Sequence, residues 1–259
     1  MALTDTHCHL NHGDFSVDWQ DALDRARRAG ISRLLVIGYD LASSRLAVDL
    51  AMREYDVQAV VGFHPESASE WSEATREELL SLISTAGNRV AGWGEVGLDY
   101  HWDTVSRSVQ IDVFEQQIEI ARSFRLPLVI HCRDAFGDVL DVLKSHGSPP
   151  AVLHCFTGTQ PELTLAVEAG YYIGVGGIAT FKKSDSLRTM LRDVPLRQIL
   201  LETDSPYLAP QARRGKRNEP AYVAFVADAI APLFGLTPSE FADATSANAN
   251  RLFGELSAS

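Results

Sequence analysis

The chain has few cysteines and lacks a long apolar run. Three of its 259 residues are cysteine, and each directly follows a histidine (Cys8, Cys132 and Cys155). We interpret them as small, reduced packing residues rather than thiolate ligands of a metal. No apolar stretch approaches the roughly 20 residues that a membrane-spanning helix needs. The N-terminus has no basic segment followed by an apolar signal region, so we expect a cytoplasmic protein.

The chain also lacks an excess of basic residues. Lys and Arg number 23 against 34 Asp and Glu, which gives a formal net charge of −11. Proteins that hold long nucleic acid by its backbone usually carry a basic stripe. The charge therefore argues against extended, non-specific binding of a duplex. It does not exclude an enzyme that holds one or two phosphates through metal ions and a few local cations, such as those of R-R-G-K-R at 213–217.

Short apolar runs alternate with amphipathic segments along the whole chain. The predicted strands cover residues 3–7, 33–37, 57–62, 90–95, 127–131, 151–154, 171–175 and 198–202. Helical patterns lie near 17–29, 41–54, 74–86, 107–125, 134–146, 160–169, 184–193, 219–235 and 238–254. Eight strands with intervening helices predict a single (β/α)8 TIM barrel over residues 1–259, rather than an open doubly wound sheet.

Six potential metal ligands lie where predicted strands give way to loops. They are His7, His9, Glu95, His131, His154 and Asp204. Parallel strands of a barrel deliver their terminal residues to one rim, so these side chains should converge. Four imidazoles and two carboxylates suit two divalent ions better than one, and the set is compatible with magnesium, manganese or zinc. The pattern predicts a barrel of the metallo-dependent hydrolase type.

Five further polar residues near this rim have roles that the sequence leaves open. We expect Asp5 and Glu202 to support the ligands through hydrogen bonds, although Glu202 could equally be a buried structural residue. His64 could contact substrate or protonate a leaving group, or it could make only a structural hydrogen bond. Arg133 and Asn218 are candidate contacts to phosphate or sugar, with surface and helix-capping roles as the alternatives.

Three aromatic residues lie near the predicted rim in the sequence. Trp93, Trp102 and Phe156 could stack on a nucleic-acid base. Packing in the core is the more frequent role of such side chains, and both interpretations stay open.

With these motifs placed, the chain resembles the TatD family of metal-dependent deoxyribonucleases in the amidohydrolase superfamily. The matching segments, in the order of the family, are D-T-H-C-H-L, V-G-F-H-P, W-G-E-V-G-L-D-Y, L-P-L-V-I-H-C-R-D-A, H-C-F-T-G, L-L-E-T-D-S-P-Y-L-A-P and R-N-E-P. Asn11 departs from the family, which commonly has an acid after H-x-H-L. Because Asn11 is not a predicted ligand, this departure leaves the metal prediction intact.

The resemblance implies a TIM barrel with a binuclear centre. It would assign His7, His9, Glu95 and Asp204 to one ion, and Glu95, His131 and His154 to the other. It also implies hydrolysis of DNA from a 3′ end, on single-stranded or frayed DNA, by a metal-activated water. Glu95 would bridge the two ions, and Asp204 would accept a proton. His64 would orient the phosphate or protonate the leaving group. We expect a monomer that needs neither a membrane nor an obligate protein partner.

Two other functions stay open at this point. The same centre could hydrolyse a small ester, lactone, amide or phosphotriester, since one fold supports many reactions. A non-enzymatic, metal-stabilised scaffold is the second alternative. A structural site usually closes with four ligands on one ion, whereas six ligands at a rim leave room for water and substrate.

Overall fold

The computed structural model describes residues 3–102 and 104–256. At its centre lies one eight-stranded parallel sheet whose strands follow each other in chain order. The strands are β1 (Leu3–Cys8), β2 (Ile31–Ile37), β3 (Val57–Val61), β4 (Val90–Asp99), β5 (Leu128–Arg133), β6 (Ala151–Leu153), β7 (Tyr172–Val175) and β8 (Ile199–Leu201). Sequential parallel pairing of eight strands with alternating helices is the TIM-barrel arrangement, which confirms the predicted fold.

The barrel closes between β1 and the chain that follows β8. Cys8 and Ser205 form an isolated parallel bridge. The Ser205 carbonyl accepts a hydrogen bond from the backbone N–H of His9 at 2.7 Å, and the His7 carbonyl accepts one from Asp204 at 2.8 Å. Backbone hydrogen bonds across this closure therefore link the segments that carry His7, His9 and Asp204.

Helices alternate with the strands and pack around the barrel. They are α1 (Trp19–Arg28), α2 (Leu41–Arg53), α3 (Glu73–Ala86), α4 (Arg107–Phe124), α5 (Phe136–Ser145), α6 (Gln160–Glu168), α7 (Asp185–Leu191), α8 (Val223–Ile230) and α9 (Pro238–Phe253). The helix predicted over 219–235 is interrupted. Short 3-10 turns, Pro220–Tyr222 and Ala231–Phe234, flank α8. Pro232 lacks the N–H that a continuous helix would use at that position.

Across residues 3–102 and 104–256, no single helix is both long and apolar enough to cross a membrane. The segments Pro220–Phe234 and Pro238–Phe253 meet that criterion only jointly, with a bend of 100° between them.

Alternation along the strands produces two apolar layers. In β5, Ile130 packs in the outer layer, between the barrel and the helices, whereas Val129 belongs to the layer inside the barrel. Phe253 of α9 belongs to the inner layer as well. Side chains two residues apart share a face of a strand. His131 therefore follows Val129 towards the barrel axis, and this alternation positions the ligand.

β4 is longer than predicted. The sequence places its end at Glu95, but the strand continues to Asp99, and its last three residues pair with His131–Arg133 of β5. Gly97 makes this close pairing possible, because its φ is 137° and a Cβ there would lie 2.0 Å from the His131 carbonyl oxygen. Glu95 therefore lies within the strand, and Asp99 lies at its end.

Candidate metal centre

Glu95 lies between two groups of histidines. Its Oε2 is 3.4 Å from Nε2 of His7 and 3.6 Å from Nε2 of His9. Its Oε1 is 2.8 Å from Nδ1 of His131 and 2.8 Å from Nε2 of His154. One buried carboxylate thus contacts four imidazoles, and it divides the site into two sides. We call them the β1–β8 side (His7, His9, Asp204 and Oε2 of Glu95) and the β5–β6 side (His131, His154 and Oε1 of Glu95).

The β1–β8 side has the spacing of a metal site. The Nε2 atoms of His7 and His9 are 3.2 Å apart, and they lie 3.8 Å and 3.5 Å from Oδ1 of Asp204. A regular tetrahedron with edges of roughly 3.4 Å has its centre about 2.1 Å from each corner, which is the usual distance between a metal and an imidazole nitrogen. His7, His9 and Glu95 therefore have the spacing to hold one divalent ion, with Asp204 beside both ring nitrogens.

Hydrogen bonds on the far side of two rings fix which nitrogen faces the site. His9 Nδ1 is 3.1 Å from the carbonyl oxygen of Ile37. A carbonyl only accepts, so Nδ1 carries the proton and Nε2 turns a lone pair towards the ligands. His131 Nε2 is 2.8 Å from Oδ2 of Asp99, which leaves Nδ1 facing Glu95. A nitrogen lone pair and a carboxylate oxygen repel each other unless a proton or a metal ion lies between them.

The pKa values of the histidines also indicate that the β5–β6 side favours positive charge. Burial opposes the charged form of His154, but the charge of Glu95 and its hydrogen bond outweigh burial and raise the pKa to about 9. Burial also opposes protonation of His131, and hydrogen bonds to Asp99 and Glu95 raise its pKa above the ordinary value. In contrast, burial lowers the pKa of His7 to about 4. Without an ion, protons balance the charge of Glu95 on the β5–β6 side.

Glu202 lies beneath the histidines. Its Oε1 accepts a hydrogen bond from the backbone N–H of Cys155 and is 3.8 Å from Nδ1 of His154. Burial raises the pKa of Glu202 to about 8. Its Oε2, together with Nδ1 of His7 and of His154, is a buried polar atom without a hydrogen-bond partner. This position is compatible with the predicted support of His154, which stays a prediction.

Asp5 braces the barrel closure from inside. Its Oδ1 accepts hydrogen bonds from the backbone N–H of Thr203 at 2.9 Å and of His7 at 3.3 Å, and its Oδ2 accepts one from the Thr203 hydroxyl at 2.7 Å. Burial raises the pKa of Asp5 to about 7. Asp5 therefore acts on the backbone that carries His7 and Asp204 rather than on a ligand side chain.

His64 faces the β5–β6 side. Its Nε2 is 3.7 Å from Oε1 of Glu95, and its ring centroid is 4.3 Å from that of His131. Its Nδ1 accepts a hydrogen bond from the backbone N–H of Glu66, so the proton of the neutral ring is on Nε2. Burial lowers the pKa of His64 to about 3. A neutral ring with Nε2–H directed into the site can donate to an oxygen of a bound anion.

The two predicted phosphate or sugar contacts lie in different surroundings. Arg133 lines the cavity over the metal ligands. Asn218 is fully buried, and its Nδ2 donates to the carbonyls of Thr203 at 2.8 Å and Tyr207 at 2.6 Å. Its Oδ1 accepts from the next backbone N–H at 3.0 Å. Because every polar group of Asn218 is used within the protein, this placement argues against the expected substrate contact and indicates a brace for the loop after β8.

Asp99 is the main residue of the site that sequence reasoning missed. Its Oδ2 accepts the hydrogen bond from His131, and its Oδ1 accepts from the backbone N–H groups of His101 at 2.9 Å and Trp102 at 3.3 Å. Burial opposes its ionisation, but the hydrogen bond from His131 outweighs burial and lowers the pKa of Asp99. The motif W-G-E-V-G-L-D-Y contains this acid, but a strand that is predicted to end at Glu95 does not extend to it.

The three aromatic residues that were considered for base stacking differ in their burial. Trp93 is buried and donates its indole N–H to Gln117, and Phe156 is also a core residue. Trp102 is 51% exposed and lines the cavity over the centre. This cavity has a volume of about 660 Å³ and also exposes Glu95 and Asp204. Of the three, only Trp102 is placed to meet a ligand.

The three cysteines are free thiols. Cys8 is buried in the outer apolar layer, as expected for a residue next to two inward-facing histidines. Cys132 and Cys155 are partly exposed rather than buried.

The fold and the site define a metal-dependent hydrolase built on a TIM barrel. The family model described as TatD related DNase matches residues 4–254. The chain belongs to this family. Within residues 3–102 and 104–256, three groups could hold a metal ion: His7, His9 and Glu95; His7, His154 and Glu202; and His64, Glu95 and His131.

Relatives and solved structures agree with this membership. The chain is 38% identical to the uncharacterized metal-dependent hydrolase YabD of Bacillus subtilis (strain 168), over 97% of this chain and 98% of that protein. It is 37% identical to the 3′-5′ ssDNA/RNA exonuclease TatD of Citrobacter rodentium, over 96% and 97% of the two chains. The crystal structure of YJJV, a TatD homologue from Escherichia coli K12, superposes with a TM-score of 0.92 at 30% identity and covers 98% of both chains.

Proposed function

We propose that this protein is a divalent-metal-dependent 3′–5′ exonuclease that hydrolyses phosphodiester bonds in single-stranded or frayed DNA. The observation that carries the proposal is the position of Glu95, whose two oxygens face two separate sets of ring nitrogens within one open cavity. A relative that is 37% identical is named as an exonuclease of single-stranded DNA and RNA, which supports this substrate class.

The residues present fit two divalent ions, for which magnesium, manganese and zinc are the candidates. His7, His9, Asp204 and Oε2 of Glu95 would hold one, and His131, His154 and Oε1 of Glu95 would hold the other. Such ions, when bound, activate water and neutralise the charge of a phosphodiester.

Asp204 is the proposed proton acceptor. Burial opposes its ionisation, but a hydrogen bond from His9 and the nearby charges of His154 and His9 hold the pKa of Asp204 below its ordinary value. An ionised carboxylate at the cavity wall can take the proton of a water that attacks phosphorus. Its backbone N–H, bonded to the His7 carbonyl, keeps the carboxylate beside the ligands.

His64 and Arg133 are the proposed phosphate contacts. Both line the same cavity as Glu95 and Asp204. The Nε2–H of His64 would donate to a non-bridging oxygen or to the leaving oxygen, and the Arg133 guanidinium would bind a phosphate oxygen through charge-assisted hydrogen bonds. We further propose that the enzyme acts as a cytoplasmic monomer, without a membrane or an obligate protein partner, because one chain supplies all of these groups.

The test is digestion of single-stranded DNA by protein that has been stripped of metal and resupplied with Mg²⁺, Mn²⁺ or Zn²⁺. A 5′-labelled strand should shorten one nucleotide at a time, and a 3′-labelled strand should release labelled mononucleotide from the start. Protein without added metal is the control. Binding of metal without cleavage under any condition would contradict the proposal.

Hydrolysis of a small ester, lactone, amide or phosphotriester is the second candidate. The formal net charge of −11 favours it, since an acidic protein repels a polyanion at long range. A panel of chromogenic esters and phosphodiesters, assayed beside DNA with the same metal, separates the two functions.

A further inference from the structure

An exposed tryptophan, Trp102, lies at the mouth of the metal cavity and is not one of the metal ligands. Among the described residues, nine large apolar side chains are exposed, and only two of them, Trp102 and Tyr207, line this cavity. The hydrophobic effect favours burial of an indole ring. A half-exposed ring beside a reaction centre therefore points to a ligand that covers it.

The Trp102 ring is held in place from several directions. The guanidinium of Arg133 lies 5.6 Å from the ring centroid, within the range of a cation–π contact. The His101 ring meets it edge-on, with centroids 4.7 Å apart at 88°. Its backbone N–H is bonded to Oδ1 of Asp99. Because these contacts order the ring before a ligand arrives, little conformational entropy remains to be lost on binding.

The same contacts relate the ring to the metal ligands. The Asp99 carboxylate that binds the Trp102 backbone also accepts the hydrogen bond from His131. Arg133 is the second residue after His131 on β5, and it is paired with Asp99 across the sheet. The indole is thereby fixed relative to the place where a phosphate would react.

We propose that Trp102, backed by Arg133, forms a stacking subsite for one unpaired nucleobase of the strand whose phosphodiester is cleaved. This inference rests on the proposed nuclease function and deepens it. Any base offers a π-face to an aromatic ring, whatever its sequence. In a duplex both faces of a base are covered by its neighbours, so the subsite selects unpaired nucleotides. Stacking does not involve the sugar 2′-hydroxyl, so the subsite accepts DNA and RNA alike.

The experiment pairs Trp102→Ala with single-stranded oligonucleotides that carry one abasic residue at successive positions from the 3′ end. For the wild-type enzyme, one abasic position should lower kcat/KM by about tenfold, the scale of a lost base–aromatic stack. Trp102→Ala should show that same loss on the intact oligonucleotide and no additional loss at that abasic position. Trp102→Phe should retain most of the activity, since a smaller ring still stacks.

Two controls separate the subsite from a general effect on the site. Hydrolysis of a fully abasic deoxyribose-phosphate oligomer, which has no aromatic ring to stack, should stay within about twofold of wild type in both Trp102 variants. Tyr55→Ala removes an exposed aromatic side chain outside the cavity and should change neither substrate.

The possible results distinguish this inference from the proposed function. If Trp102→Ala shows the full abasic penalty of the wild type, or loses turnover of the fully abasic oligomer in parallel, the subsite is wrong and the nuclease assignment stands. If the wild-type enzyme cleaves bis(p-nitrophenyl) phosphate but no oligonucleotide, both are wrong.

Discussion

The two sides of Glu95 are both built from histidines at strand ends, yet they differ in spacing and charge. On the β1–β8 side, the two Nε2 atoms lie 3.2 Å apart and 3.4–3.8 Å from the carboxylate oxygens, and backbone bonds across the barrel closure hold His7, His9 and Asp204. On the β5–β6 side, both histidines lie 2.8 Å from Oε1, and side-chain bonds orient them. The first side already has the dimensions of a metal site, whereas on the second side the raised pKa values of His131 and His154 favour protons that an ion must displace.

Removal of one ligand from each side is expected to have the largest effect. His9→Ala and His131→Ala should each lower kcat on single-stranded DNA by roughly 10³-fold, because metal ions contribute several kcal/mol of charge stabilisation. Mass-spectrometric metal analysis should find one bound ion fewer in each variant. His146→Ala is the matched control, since that histidine lies in the cap of α5 away from the cavity. Unchanged metal content in either variant would contradict the ligand assignment.

Asp99→Asn should weaken only the β5–β6 side. The amide can still accept from His131 but carries no charge, and loss of such an orienting carboxylate typically lowers metal affinity by about 10- to 100-fold. Calorimetric titration should show one weakened ion and one unchanged ion. Asp138→Asn, which alters an acid bonded to Tyr100 instead, serves as control. Equal weakening of both ions would break the proposed division of the site.

Most of the strand ends that form the site were readable from the sequence, because apolar runs stop where H-x-H, H-C-R, H-C-F and E-T-D begin. The ends of β1, β5, β6 and β8 each lie within two residues of their predicted positions. Each of these strands is short and bounded by polar residues, so the local pattern is sufficient to place them. The convergence of the six side chains then followed from the topology of a parallel barrel.

Two features of the site depend on tertiary contacts that no local pattern contains. β4 continues past Glu95 because its end pairs with β5 and Gly97 can adopt a φ of 137°. That continuation brings Asp99 to His131. Asn218 has the composition of a ligand-binding residue, but the folded loop after β8 buries it against two carbonyl groups. Burial of a polar side chain is decided by what packs over it.

The pH dependence of metal binding should differ between the two sides. In the metal-free protein the pKa of His154 is about 9, and the pKa of His131 is also raised. A protonated imidazole cannot bind metal, so affinity on the β5–β6 side should rise with pH up to about 9, by up to about tenfold per pH unit for each displaced proton. His7, with a pKa of about 4, is already deprotonated at neutral pH, which leaves His9 as the titrating histidine of the β1–β8 side.

Calorimetry in buffers of different ionisation enthalpy measures these displaced protons. More protons should be released on filling the β5–β6 side than on filling the β1–β8 side at pH 7. Equal proton release from the two sides would contradict the proposed difference in charge between them.

The smallest effect is expected at Asn218, which braces the loop carrying Asp204. Asn218→Ala leaves the carbonyls of Thr203 and Tyr207 without their donor, so the free energy of unfolding should fall by about 1–3 kcal/mol. Activity of the folded variant should change little, because the side chain does not reach the cavity. Urea denaturation and steady-state kinetics measure the two quantities. A large rise in KM at unchanged stability would restore the substrate contact predicted from sequence.

The central claim, that one carboxylate serves both sides, is tested most directly by the metal content of Glu95→Gln, measured together with DNA digestion. The substitution keeps the shape of the side chain and removes its charge. We expect loss of bound metal from both sides and a fall in turnover of roughly 10³-fold. Retention of two ions with digestion at the wild-type rate would contradict it.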